Sequence, residues 1–349
     1  MSIIKLLKKK CNTALFTTPS HSQRFFVINK LRNLYKYDIS ETDFHNPQKE
    51  LSRAENYAAS VYGTKATKFL TNGSTSGIIA AVLSCIKEGD EILIWKEAHP
   101  CHKNAAILAG AKINYYEIPT DEEWGIPTKT SIDTIEPIIK NNPKIKALIV
   151  TSPTYEGIVS DIISLKKMCR KYNVYLIVDE AHGALYPFCD ELPQSAVNIA
   201  DFTIQSLHKT AGGLNPTALV HTNTNLDIDQ ALSLISTTSP SYPLLATIEA
   251  NIRYLNSAKG RQSIKNLLTN IENLKKECPN CEFGGDDKTK ILVKIAGLSG
   301  FQLSEILYKK YNIEDEKTNY ISTMLLCGIG TDKKKLTRLK NALRSIKKQ

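Results

Sequence analysis

No apolar run in the 349-residue chain approaches the length of a membrane span, which excludes a helical membrane protein. The N-terminal stretch Met1 to Lys10 puts its charges after a very short apolar patch, the reverse of a secretory signal, so a cytoplasmic protein is expected. Internal repeats, low-complexity tracts and a Gly/Ser linker are all missing. The eight cysteines are scattered, and the only close pair, Cys278-Pro279-Asn280-Cys281, has the spacing of half a zinc site without a second pair nearby. Reduced thiols in a reducing compartment fit better, and no metal is expected. A net charge of +10 would suit nucleic acid, but the basic residues gather at the two ends and no recognition motif accompanies them. Lys335 to Leu343 keeps its leucines at helical spacing, so that basic stretch predicts an amphipathic terminal helix with a solvated face.

With 42% hydrophobic composition, the chain can bury one large core and a smaller second one. Residues 1–45 are weakly periodic and read as an arm that packs on something else, such as a second subunit. Gln48 to Tyr62 is helical, with Leu51, Ala54, Tyr57, Ala58 and Val61 on one face. Short apolar strands follow at Glu91–Trp95, Lys112–Ile118, Lys146–Thr151, Val174–Val178, Phe202–Gln205 and Thr217–His221. Helices at Lys103–Ala109, Ser131–Asn141 and Ser164–Tyr172 lie between several of them. That alternation predicts an α/β fold with a mostly parallel central sheet covered on both faces, over residues 46–240. Residues 241–349 change character, with two long helices, strands at Ile291–Ala296 and Met324–Gly328 and a helix at Phe301–Tyr311, and read as a smaller C-terminal α+β domain.

Ligands of a parallel sheet collect beyond the carboxyl ends of its strands, where three polar clusters fall. Asn72-Gly73-Ser74-Thr75-Ser76-Gly77 precedes a helix and offers glycines, hydroxyls and free N–H groups, either as a dianion cradle or as an ordinary N-cap. It is no Walker loop, since no Gly-Lys-Ser/Thr follows. Asp179, in Val178-Asp179-Glu180-Ala181-His182-Gly183, is half buried at a strand end and needs a cationic partner. A protonated pyridine nitrogen, a metal or an ion-paired side chain would serve. Ser206-Leu207-His208-Lys209-Thr210 places a lysine at a strand end before glycines, where a desolvated amine can bond to a carbonyl. Cradle, aspartate and lysine, in that order, are the parts that pyridoxal 5′-phosphate (PLP) needs: a held phosphate, a paired ring nitrogen and an aldehyde bound as an imine.

In these segments the chain resembles the ornithine/lysine/arginine decarboxylases of bacterial type, which share the aspartate aminotransferase fold (PLP fold type I). The resemblance rests on residues 72–77, 179–183 and 206–210, on Thr238-Ser239-Pro240-Ser241-Tyr242-Pro243 after Thr237, on Cys101-His102-Lys103 and on Ser152 to Gly157, within roughly residues 17–330. It implies a PLP-dependent decarboxylase of arginine, lysine or ornithine, with Lys209 carrying the imine and Asp179 pairing with the pyridine nitrogen. Ser74, Thr75 and Ser76 would hold the phosphate, joined by Ser206 and His208. His102 would stack on one face of the ring, Ala181 would pack on the other, and His182 would lie by the ring or the substrate carboxylate. It further implies a homodimer in which Thr238, Ser239 and Tyr242 sit near the partner's site. Glu41, Asp43 and Glu316 are candidates by position for reading a basic substrate side chain.

Departures from that family are Ser20 in Thr18-Pro19-Ser20-His21, Glu97-Ala98-His99-Pro100 ahead of Cys101, and the lack of an N-terminal wing or a long C-terminal domain. They keep open a different fold type I reaction, such as transamination, cyclisation or oxidation. An aminotransferase would need a carboxylate-clamping arginine from among Arg253, Arg261, Arg338 and Arg344. A non-catalytic, partner-binding relative is the remaining alternative, and intact Lys209, Asp179 and His102 argue against it.

Overall fold

The computed structural model describes residues 14–17 and 48–346. Most of the expected arm, including Glu41 and Asp43, lies outside the described residues.

Period-two burial along the apolar strands decides the layering. Ile92, Ile94, Ala147, Ile149 and Ile177 point into one core, while Leu93, Trp95, Leu148, Val150, Leu176 and Val178 point into another on the opposite face. Strands buried on both faces need helices on both, as expected for a parallel sheet. Seven strands form it: β1 (Ala66–Leu70), β2 (Glu91–Trp95), β3 (Lys112–Tyr116), β4 (Ile145–Thr151), β5 (Tyr175–Asp179), β6 (Phe202–Ser206) and β7 (Ala218–Thr222). Their spatial order is β1-β7-β6-β5-β4-β2-β3, parallel throughout except for β7, which runs antiparallel to both its neighbours. This is the expected fold type I architecture.

Register aligns the strand ends. Ala218 pairs with both Leu70 and Ser206, and Asp179 pairs with both Thr151 and Ile204. The polar clusters that follow β1, β5 and β6 therefore converge on one edge of the sheet. β1 itself was not expected as a strand, because its Thr67 and Lys68 break the apolar run.

A second sheet of four antiparallel strands follows: β8 (Glu282–Gly284), β9 (Lys290–Lys294), β10 (Lys317–Thr318) and β11 (Thr323–Leu326), in the order β8-β9-β11-β10. Its core takes Leu267 and Ile271 from the helix Ala258–Lys276, Leu303 and Leu307 from Gly300–Tyr311, and Leu339 and Leu343 from Lys333–Ser345. The boundary drawn at residue 241 falls beside the helix Tyr242–Asn256, whose Ile248, Ile252 and Leu255 pack with Ala58, Leu185 and Phe188.

Helix α1 (Gln48–Tyr62) has the bounds read from the sequence, and α2 (Gly73–Cys85) crosses the sheet. Gly77 lets α2 touch it: an added Cβ would sit 2.8 Å from Leu70 Cδ1 and 2.9 Å from Ile204 Cγ2. Gly77→Ala should lift the helix and cost about 1–3 kcal/mol by overpacking. Urea denaturation checks this, and an unchanged midpoint would show that the sheet yields freely there.

Candidate active site

Where the sheet's polar edge meets the second sheet lies a cavity of about 550 Å³. Asn72 to Thr75, Asp179, Ala181, His182, His208 and Lys209 line it, with Tyr155 and Glu156 from the turn after β4 and Lys317 from β10.

The start of α2 forms one wall. Asn72 makes no side-chain cap bond, so Ser74 and Thr75 and the first-turn amides face the cavity as a helix N-terminus does toward an anion. Gly73 adopts φ +75°, a left-handed turn that glycine takes without strain. Ser76 is placed otherwise than the phosphate reading implies: its hydroxyl donates to Gly73 O at 2.8 Å, and the residue lines a neighbouring cavity.

Asp179, the last residue of β5, is the acid of the site. His102 Nε2 donates to its Oδ2 at 2.9 Å, and Ala181 N donates to its Oδ1 at 3.1 Å. Burial acts to raise its pKa. The His102 hydrogen bond and charge, the charge of Lys209 and the Ala181 amide outweigh that and hold the carboxyl below its usual range. His102 is fully buried, and the imidazole lining the cavity from this segment is that of His99, which also caps the helix Pro100–Leu108. Cys101 lies beside them, its thiol pushed up to about 12 by burial and by Asp179. Cys101, His102 and Asp179 come close enough together to hold a cation, but a protonated thiol is a poor ligand.

Lys209 sits in a four-residue helical turn straight after β6, and its Nζ donates to His182 Nε2 at 3.1 Å. Burial lowers its pKa, partly offset by the charges of Asp179 and Glu316. His182 is neutral, since burial and the lysine charge put it well below its ordinary value. The Tyr155 ring covers His182 with centroids 4.6 Å apart. His208 donates from Nδ1 to Thr217 O at 3.0 Å, which leaves its Nε2 for the cavity that it lines. Ser206 is fully buried and absent from the lining.

The remaining candidates lie elsewhere. Thr238 and Ser239 are exposed, and Tyr242 half-buried, well along the chain from the cavity lining. Arg253 pairs with Glu249, Arg261 reaches Phe188 O and Asn256, Arg338 donates to Tyr311 O, and Arg344 is near Glu277. Among the described residues no arginine lines the cavity. Glu316 acts on Lys209 through its charge without lining the cavity. Of the lining residues that carried no sequence-based role, Tyr155 and Glu156 belong to a segment noted for its resemblance, while Lys317 had no local signal at all.

PLP fits this donor set. The cavity holds an uncapped helix start, an ionised buried carboxylate and a desolvated amine, and Thr151 Oγ1, His182 Nδ1 and Glu156 Oε2 in its wall are buried polar atoms without a protein partner.

The sheet order and the position of this cavity define a fold type I protein. The chain matches the family model described as "Orn/Lys/Arg decarboxylase, major domain" over residues 13–294, and it belongs to that family. It is 29% identical to an arginine decarboxylase of Bacillus anthracis over 327 residues, which cover 87% of this chain and 66% of that one. Its structure resembles the constitutive lysine decarboxylase of Escherichia coli, with a TM-score of 0.76 at 19% identity over 89% of this chain and 54% of that one. It also resembles an alanine–glyoxylate aminotransferase from Nostoc, with a TM-score of 0.70 at 14% identity over 95% and 94% of the two chains. The chain thus spans about two thirds of that arginine decarboxylase and about half of the lysine decarboxylase.

Buried histidines and one buried glutamate predict a pH dependence. His182 is held well below 6.5 and His221 down to about 3, both by burial, whereas burial lifts Glu180 to about 7 against hydrogen bonds from Ser195, Ala196 and Gln205. The two histidines contribute stability above 6.5 that is lost as the pH falls, because the unfolded chain takes up their protons. Glu180 has the opposite sign: its contribution is present below 4.5 and lost as the pH rises toward 7. Burial lowers His99 and His208 as well, so four histidines outweigh one glutamate and unfolding free energy should fall by at least about 1 kcal/mol per unit between pH ~6.5 and ~5. His221→Gln should make the slope shallower in urea titrations. Stability that rises over this window would overturn the assignment.

Proposed function

We propose that this protein is a PLP-dependent decarboxylase of a basic amino acid, releasing carbon dioxide and an amine from arginine, lysine or ornithine. One observation carries the reading: a desolvated lysine amine and an ionised buried carboxylate, Lys209 and Asp179, line one cavity with an uncapped helix start. Family membership supports the reaction class. When bound, PLP supplies an aldehyde for the substrate amine and a sink for the electrons of the broken C–C bond.

The chain's residues do the rest. Ser74, Thr75 and the first amides of α2 would hold the phosphate. Asp179 would hold the ring nitrogen in its protonated form, the state in which the ring best accepts electrons. Lys209 would hold the aldehyde. Neutral His182 steadies the lysine by accepting from Nζ, and Lys209 or His208 returns a proton to Cα. His99 and Ala181 bracket the ring space, with His102 acting from behind through Asp179. We place Thr238, Ser239 and Tyr242 at the site of a second subunit in a cytoplasmic homodimer, a reading supported by the exposure of Thr238 and Ser239 away from their own cavity. The absence of a cavity-lining arginine among the described residues weighs against the aminotransferase alternative.

Purified protein loaded with PLP and given each of the three amino acids should release carbon dioxide and an equimolar amine, read by amine chromatography. Pyridoxamine phosphate in place of the amine would establish transamination instead. Borohydride treatment should fix the cofactor's mass on the peptide that contains Lys209. Lys209→Ala should abolish turnover, by at least about 10³-fold, with the fold retained by circular dichroism. Retained turnover would remove this lysine from the mechanism.

A further inference from the structure

Among the described residues, the cavity contains one cation that the reaction outlined above does not use. Lys317 enters from β10 of the second sheet, lines the cavity and keeps its side chain half-exposed, at 48%. Its Nζ donates to Glu156 Oε1 at 2.6 Å and lies 5.0 Å from the centre of the Tyr155 ring. Lys209 Nζ lies 5.2 Å from that same ring centre, so both ammonium groups are organised around one aromatic side chain. Glu156, by contrast, is 6% exposed, so the pair has a fixed acidic end and an accessible basic end. Lysine carries three donors, and Glu156 takes one.

An amino-acid substrate brings a carboxylate into this space. His182 and His208 both have pKa values lowered by burial and are neutral at neutral pH, and no described arginine lines the cavity. Apart from Lys209, whose nitrogen is committed to the cofactor, Lys317 is the lining cation among the described residues. Resting on the decarboxylase reading above, we propose that Lys317 binds the substrate α-carboxylate and that Glu156 is a positioning residue, which aims the ammonium and moderates its charge.

That moderation suits the reaction. When the bond from Cα to the carboxylate breaks, its electron pair passes to the cofactor and neutral carbon dioxide leaves, so the carboxylate's charge disappears from where it was held. An unopposed cation there would favour the bound substrate over the transition state and slow the bond-breaking step. A lysine already paired with a buried carboxylate orients the group while holding it less tightly.

The experiment compares binding of an amino acid with that of its own decarboxylated amine to the holoenzyme. The probes are arginine with agmatine, lysine with cadaverine and ornithine with putrescine, each read by rapid mixing from the cofactor absorbance. The double variant Glu156→Gln/Lys317→Met removes both charges together and strands no buried carboxylate. It should lose about tenfold or more of the preference for amino acid over amine, with amine affinity changed less than about twofold. Lys317→Arg should keep the preference. Glu156→Gln alone should lower both KM and kcat, a split that mere structural damage does not produce. An unchanged preference in the double variant, or an equal loss for acid and amine, overturns the assignment while leaving the decarboxylase reading intact. A wild-type holoenzyme that responds to neither member of any pair removes both readings.

Discussion

The arrangement of the site follows from one constraint, a carboxylate buried at the end of the central strand. Asp179 closes β5, the middle strand of seven, where both sheet faces are already filled with aliphatic side chains. An ionised group there is costly unless its surroundings supply positive charge and hydrogen bonds. Three neighbours do so: His102 from the helix after β2, the Ala181 amide from its own turn, and Lys209 from the turn after β6. Each comes from a different crossover, so the parallel topology is what brings them to one carboxylate.

Lys209 bears the opposite constraint. Its amine is enclosed enough for burial to lower its pKa, and its hydrogen bond goes to a histidine that burial keeps neutral. The same loss of water therefore keeps Asp179 dependent on cations and makes Lys209 a better nucleophile. Closing the sheet edge produces both effects, without any strained residue in the lysine turn.

Much of this was legible in the sequence because it is local. Gln48–Tyr62 declares itself through a 3.6-residue period, and the three polar clusters each follow an apolar segment within a few residues. The antiparallel direction of β7 was not legible, since a strand of the type Ala218–Thr222 reads the same either way. Among the hydroxyls of residues 74–76 the sequence could not say which would turn back: Ser76 satisfies a carbonyl of its own helix while Ser74 and Thr75 face the cavity. His99 was hidden because it is a helix cap bonded to the Cys101 amide, whereas His102, three residues on, is drawn to Asp179. Lys317 was invisible, since its meaning comes from Glu156, far away in sequence and in a turn that follows a strand of the other sheet.

That last contact belongs to a larger seam between the two sheets. Asp287, fully buried just before β9, accepts from Tyr186 Oη at 2.8 Å and from Thr289, and it pairs with the equally buried Lys290. Its amide donates to Gly157 O at 3.1 Å, next to the glutamate that holds Lys317. Gly157 adopts φ +97°, and a Cβ there would lie 2.8 Å from Lys290 Cδ and 2.9 Å from Asp287 Cβ, so only glycine lets this turn lie against the pair. Removing either charge of the pair would strand the other in a dry interface, which makes the seam rigid rather than merely adhesive. A rigid seam keeps the Tyr155-Glu156 turn in place, so the second sheet acts on the chemistry of the first through the wall it holds.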